Sequence, residues 1–249
     1  MIVREWDGSS YDRISGVMQS MGLEVLSRLE LQGDETVIDA GCGSGRVTEA
    51  LMERLPRGRV IGVDGSASMI AAARERLGAD PELRVADLLE LEVGEPVDAI
   101  FSTATFHWIG DHERLFARLR ACLRPGGRLL AQCGGEGNIT ELRRRAMLVG
   151  GREPFAEHLR RFQPPWNYAG PAETRERLLA AGFQSAECWL TDAPQRPEHP
   201  REFLETIVLQ PHVQAVPAEL RERFMDEVLE ELGEPVVVDY VRLNIDATA

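Results

Sequence analysis

The chain of 249 residues contains no lysine, and all 28 of its basic residues are arginine. Schiff-base chemistry and a lysine general base are therefore excluded. Cysteine is sparse: Cys42, Cys122, Cys133 and Cys188 are scattered, without a CxxC pair or a histidine at ligand spacing. That pattern argues against a disulfide framework or a zinc knuckle, and buried free thiols are expected. No apolar run reaches the roughly 20 residues that a membrane span requires. Arg4, Glu5, Asp7 and Asp12 interrupt any signal-peptide pattern. The expectation is a cytoplasmic protein with no membrane partner. Positive charge is in deficit, with a formal net charge of −13, which disfavours nucleic acid as a partner.

What is present is an alternation of amphipathic helices and short apolar strands, the pattern of a parallel sheet covered by helices. Residues 11–29 read as a helix, followed by strand 35–40, helix 46–55 and strand 59–63. Ser66 is placed to cap a helix reaching about residue 77, and 83–86 makes a short strand. Strand 98–102 and helix 112–123 follow. Arg124-Pro-Gly-Gly127 reads as a turn, because proline stops the helix and the glycines permit reversal. Residues 128–133 form a fifth strand. The rhythm then fails, and 139–168 reads as an arginine-rich helical insertion. Helix 172–181, strand 185–190, helices 201–210 and 218–232, and a last strand over 236–245 complete the chain.

The most informative stretch is Val37-Ile-Asp-Ala-Gly-Cys-Gly-Ser-Gly45. An apolar strand runs into alternate glycines and then a helix, so the backbone can approach a ligand at the carboxyl end of the sheet. The dinucleotide pattern GxGxxG would need glycine where Arg46 stands, and a P-loop would need Gly-Lys-Ser/Thr. A ligand without a pyrophosphate is implied. Val60-Ile-Gly-Val-Asp64 ends a second strand in an acid about 20 residues past the glycines, a position suited to ribose hydroxyls. Val85-Ala-Asp87-Leu88 ends the third, with Asp87 available to an adenine amino group and Leu88 to the ring. Both acids could equally cap the helices that follow.

Together these stretches resemble the class I S-adenosylmethionine-dependent methyltransferases, and Arg124-Pro-Gly-Gly127 is similar to that family's turn before strand five. The resemblance implies an α/β fold: a doubly wound, mostly parallel seven-stranded sheet, Rossmann-like, with a helical cap inserted after strand five. It implies a single methyltransferase domain over 1–249, with 1–33 as a helical entry and 139–168 as the cap. It also implies S-adenosyl-L-methionine as cofactor, held by Asp39, Gly41, Gly43, Asp64, Asp87 and Leu88. Trp6-Asp7 with Tyr11, and Phe106-His107-Trp108, resemble the trans-aconitate-type and ubiquinone-biosynthesis-type small-molecule enzymes. Tyr11 and Gln19 are carried over as cofactor contacts on that basis.

A sulfonium methyl is already activated, so the enzyme mainly has to hold a nucleophile in line and exclude water. A carboxylate acceptor needs no base, whereas an alcohol, phenol or amine does. Ser102-Thr-Ala-Thr105 ends strand four where the methyl sulfur is expected. It is not the Asn/Asp-Pro-Pro-Tyr of nucleobase or amide methylation, nor does it carry the acidic pair of a magnesium site; no metal is expected. His107 and Tyr168 are the candidate bases, Trp108, Trp166 and Asn167 the candidate acceptor walls. Packing is the alternative role for each. Arg143, Arg144, Arg145, Arg152, Arg160 and Arg161 either recognise a carboxylate or form a solvated helix face paired with Glu141, Glu153 and Glu157. The expected function is methyl transfer to a small molecule, with O-methylation of a carboxylate or hydroxyl foremost. C- or N-methylation of a larger aromatic acceptor and a non-catalytic cofactor-binding protein are the alternatives.

Overall fold

The computed structural model describes residues 16–249; the expected contacts of Trp6, Asp7 and Tyr11 lie outside the described residues. Seven strands form one sheet: β1 Thr36–Ala40, β2 Arg59–Asp64, β3 Glu82–Val85, β4 Val97–Thr103, β5 Leu123–Gly134, β6 Ser185–Asp192 and β7 Val241–Thr248. Their order is β3-β2-β1-β4-β5-β7-β6. The first five run parallel, and β7 lies antiparallel to both β5 and β6. The doubly wound, mostly parallel sheet expected from the alternation of elements is present.

Each crossover helix is specified locally. Helix α1 (Gly16–Ser27) and α2 (Arg46–Glu53) pack one face of the sheet, where Val25, Leu26 and Leu51 meet Phe101 and Leu130. Helix α3 (Ala67–Leu77) starts at Ser66, whose Oγ accepts from the Met69 amide at 3.3 Å. Helix α4 (His112–Cys122) starts at Asp111, which accepts from the Arg114 amide at 3.0 Å. Helices α4 and α7 (Pro171–Ala180) cover the other face through Leu115, Phe116, Leu119 and Leu178. Burying such side chains contributes roughly 1.5–3 kcal/mol each.

A third layer covers the carboxyl end of the sheet. Helices α5 (Thr140–Gly150) and α6 (Ala156–Leu159) come from the insertion after β5. Helices α8 (Pro200–Phe203), α9 (Gln210–Ala215) and α10 (Ala218–Leu232) come from the segment between β6 and β7. Their apolar faces share one cluster, in which Leu142, Phe155 and Leu159 meet Leu204, Phe224 and Val228. The lid is thus built from two separate stretches of chain.

Two local readings change. The last strand begins at Val241, not at 236. Val236, Val238 and Tyr240 are apolar because they are buried in the lid cluster, so the apolar run overstates the strand. The Arg124-Pro-Gly-Gly127 turn lies inside β5 as a bulge, between the pairs Val97↔Leu123 and Ala99↔Arg128. Gly126 there has φ +76°, which glycine adopts without a Cβ penalty.

Candidate active site

The carboxyl ends of β1–β4 and the amino end of β7 converge under the lid. Between them lies a chamber of about 250 Å³. One side is built from the glycine loop and the ends of β2 and β3. Asp64 ends β2 with its Oδ2 accepting from the Gly43 amide at 3.0 Å and its Oδ1 from the Ser66 amide at 2.8 Å. Its carboxylate therefore ties the loop to the strand at the chamber wall. Asp87 accepts from the Leu89 amide at 2.9 Å, capping the short 3-10 turn Leu88–Glu90. Capping and ligand binding are compatible here, since Asp64, Asp87 and Leu88 all line the chamber.

The glycines do different jobs. A Cβ on Gly41 would fall 2.0 Å from the Thr105 Oγ1, and one on Gly45 would fall 2.8 Å from Leu77. Their bareness serves packing against the protein. A Cβ on Gly43 would meet no protein atom within 4 Å, and Gly43 faces the chamber. This open face, with the Asp64 and Asp87 carboxylates beside it at the chamber wall, fits a nucleoside cofactor with hydroxyl and amino donors.

The other side is aromatic. His107 and Trp108 lie on a short turn after β4 (Phe106–Trp108), and Trp166 and Tyr168 descend from the lid. Trp166 stacks on Tyr168 with centroids 5.7 Å apart and meets Trp108 edge-on at 6.0 Å. His107 is buried, and its Nδ1 accepts from the Gly134 amide at 3.3 Å. Burial first, then the Arg242 charge and His112, push its pKa down to about 3. Burial likewise drives the Tyr168 phenol well above its ordinary range, against an opposing hydrogen bond with Asn138. Ala104 and Ile139, both at the chamber wall, have φ of +56° and +50°. Non-glycine residues held there store strain, which concentrates at functional sites.

Four of the expected residues stand behind the wall. Asp39 is buried and accepts from the Thr48 Oγ1 at 2.7 Å; burial raises its pKa to about 7. Ser102 donates to the Ala40 carbonyl at 2.6 Å, joining β4 to β1. Gln19 accepts from Arg46 at 3.2 Å. Asn167 donates to the Gly110 carbonyl at 3.0 Å and its amide to the His107 carbonyl at 2.8 Å, fixing the aromatic turn to the lid. Most of the arginine cluster faces outward. Arg144 and Arg145 pair with Glu141, Arg152 pairs with Glu231, and Arg160 and Arg161 are exposed. Arg143 instead lies over the Trp166 ring, 5.7 Å from its centroid.

One residue at the chamber carried no signal in the sequence reading. Arg242, at the start of β7, is 4% exposed and lines the chamber. Its guanidinium lies over Tyr240, 4.1 Å from the ring centroid, and its Nη2 faces the Met18 and Met21 sulfurs at 3.8 and 3.5 Å. Its Nε is buried without a hydrogen-bond partner.

This sheet order, with a glycine loop and paired acids at its carboxyl edge, defines a class I S-adenosylmethionine-dependent methyltransferase. Residues 37–127 match the family model described as a methyltransferase domain. The trans-aconitate 2-methyltransferase of Variovorax paradoxus (strain S110) is 32% identical over 96% of this chain and 94% of its own length. That of Paracidovorax citrulli (strain AAC00-1) is 34% identical over 90% and 87%. Among solved structures, phosphoethanolamine N-methyltransferase 2 of Haemonchus contortus is similar in fold, with a TM-score of 0.62 at 23% identity over 97% of this chain and 56% of that one. The chain belongs to the class I methyltransferase family and groups within it with the trans-aconitate 2-methyltransferases.

Proposed function

We propose that the protein transfers a methyl group to a carboxylate oxygen of a small acidic metabolite, the class to which trans-aconitate belongs. Gly43, Asp64, Asp87 and Leu88 are the residues proposed to hold the cofactor, and the lid closes over the acceptor. S-adenosylmethionine supplies a methyl group on a cationic sulfur, which departs as a neutral thioether. The protein's own part is positioning and exclusion of water, worth several orders of magnitude in rate.

One observation carries the choice of acceptor. The titratable groups described at the aromatic wall are all poor bases: His107 is held near pKa 3, His212 against Trp166 near 4, and Tyr168 stays protonated. A general base works best with a pKa near the operating pH. An acceptor that arrives already ionised needs none, and a carboxylate with an ordinary pKa near 4 is such an acceptor. The ester bond then forms as the sulfur–carbon bond breaks, and no proton moves.

A second reading has its own support. Trp108, Trp166 and Tyr168 present aromatic faces while Arg144, Arg145 and Arg152 are paired at the surface, which suits C- or N-methylation of an aromatic acceptor. Incubation with labelled cofactor and parallel panels of small carboxylates and aromatic amines or phenols separates the two. Base-labile methyl esters by mass spectrometry are the expected products. Turnover confined to aromatic acceptors would replace the carboxylate reading with the second.

A further inference from the structure

Resting on the carboxylate reading, we infer that Arg242 anchors a second, non-reacting carboxylate of the acceptor, so that the site selects molecules carrying at least two. An arginine this deeply buried is ordinarily paired with an acid. Among the described residues no carboxylate pairs with Arg242. The Tyr240 ring takes the face of its guanidinium, and two thioether sulfurs, weak acceptors, take one nitrogen. The planar fork has five donors and is shaped for a carboxylate. Its Nε is left without a partner at the wall of an open chamber. The counter-charge missing among the described residues is the one the acceptor brings.

Position separates this group from the cofactor. Arg242 pairs in register with Gly134 at the end of β5. It therefore stands four strand spacings, roughly 19 Å, from the Asp64 end of β2, and two spacings, roughly 10 Å, from the end of β4. The nearer span is too long for a single carboxylate group and suits a short di- or tricarboxylic acid reaching from the β4 end to β7. Arg143, the other guanidinium near Tyr168, lies against Trp166 and is not part of the chamber wall. It supports the aromatic face and does not provide the anchor.

The test compares wild type with Arg242→Met and Arg242→Lys, after thermal melting has confirmed that each is folded. Calorimetry with S-adenosylhomocysteine present measures binding of trans-aconitate and of crotonate, a monocarboxylate of related shape. In Arg242→Met, trans-aconitate should bind about ten- to hundredfold more weakly, as loss of a charge-assisted contact implies. Arg242→Lys should recover part of that loss. Crotonate should bind weakly and equally in all three, and S-adenosylhomocysteine affinity should change by less than about threefold. Unchanged trans-aconitate affinity in Arg242→Met would overturn the assignment while leaving the carboxylate reading intact. A loss falling on S-adenosylhomocysteine instead would move Arg242 to the cofactor and also overturn it. Wild type that binds neither acid would remove the carboxylate reading and this assignment together. If Arg242→Met does not fold, Arg242→Gln, which keeps polar bulk without charge, answers the same question.

Discussion

Replacing His107 with Asn separates a wall from a base. Burial lowers the His107 pKa from 6.5 to about 3. The unfolded chain therefore takes up a proton there below pH 6.5 while the folded protein does not, and stability falls as pH drops through that window. At pH 5 the difference amounts to about 2 kcal/mol, and it grows to about 4 kcal/mol by pH 3. Asn retains an oxygen able to accept from the Gly134 amide, which now donates to the His107 Nδ1, but it does not titrate. Denaturant unfolding of both proteins from pH 8 to pH 5 should show wild type losing about 2 kcal/mol more than the variant. Asp39 and His212 titrate in both and cancel in the difference. For catalysis, a base at this position would contribute roughly 10²–10⁴-fold, so a wall residue should cost far less when changed to Asn. The kcat profile with a carboxylate acceptor should be flat from about pH 5.5 to 9, above the acceptor's own pKa. An acidic limb near pH 6–7 that disappears in His107→Asn, with a loss of a hundredfold or more, would refute the reasoning and return the acceptor to a hydroxyl.

Asp64→Ala should weaken S-adenosylmethionine binding by about 1–3 kcal/mol; equal affinities in calorimetry would defeat the ribose assignment. Asp39→Asn should remove a stability loss that wild type suffers as pH rises. The Asp39 pKa is raised to about 7 from 3.8, so the cost of ionising it is absent below about pH 4 and complete above about pH 7. It reaches at most about 4 kcal/mol. Parallel stability profiles from pH 4 to 8 would contradict this. Trp166→Ala and Tyr168→Phe should lower methyl transfer about tenfold or more while cofactor affinity moves less than about threefold, the signature of a lid. If Trp166→Ala instead loses melting temperature in proportion to its activity, Trp166 is an anchor of the lid core.

The strand-end junctions proposed to hold the cofactor were legible because their parts are local. Gly43, Asp64 and Asp87 each stand at a strand-to-helix junction, where a few neighbouring residues state both the geometry and the chemistry. The acceptor half depends on contacts distant in the chain. Arg242 sits in a strand with ordinary neighbours, and only the folded surroundings show that it is buried at the chamber with no carboxylate partner among the described residues. The arginine run of 143–145 drew attention by composition, yet Glu141 pairs with two of its members at helical spacing. Val236 and Val238 imitated strand because burial under a lid and burial in a sheet select the same residue types. Asp39, a candidate ligand contact by sequence, lies behind the wall bound to Thr48, whereas Gly41 lines the chamber while its bare Cα makes room for Thr105.

Because the lid draws on two inserted stretches that share a core of their own, the molecule has a seam. The strands and turns on one side of it are bound together through the sheet. The helices on the other side hold mainly one another. The proposed acceptor walls straddle that seam, with Trp166 and Tyr168 on the lid side and Trp108 and Arg242 on the sheet side, so exchanging residues 139–168 and 193–240 as a matched pair would replace only the lid's share of acceptor preference. Exchanging either stretch alone would leave half of an interlocking surface facing the wrong mate.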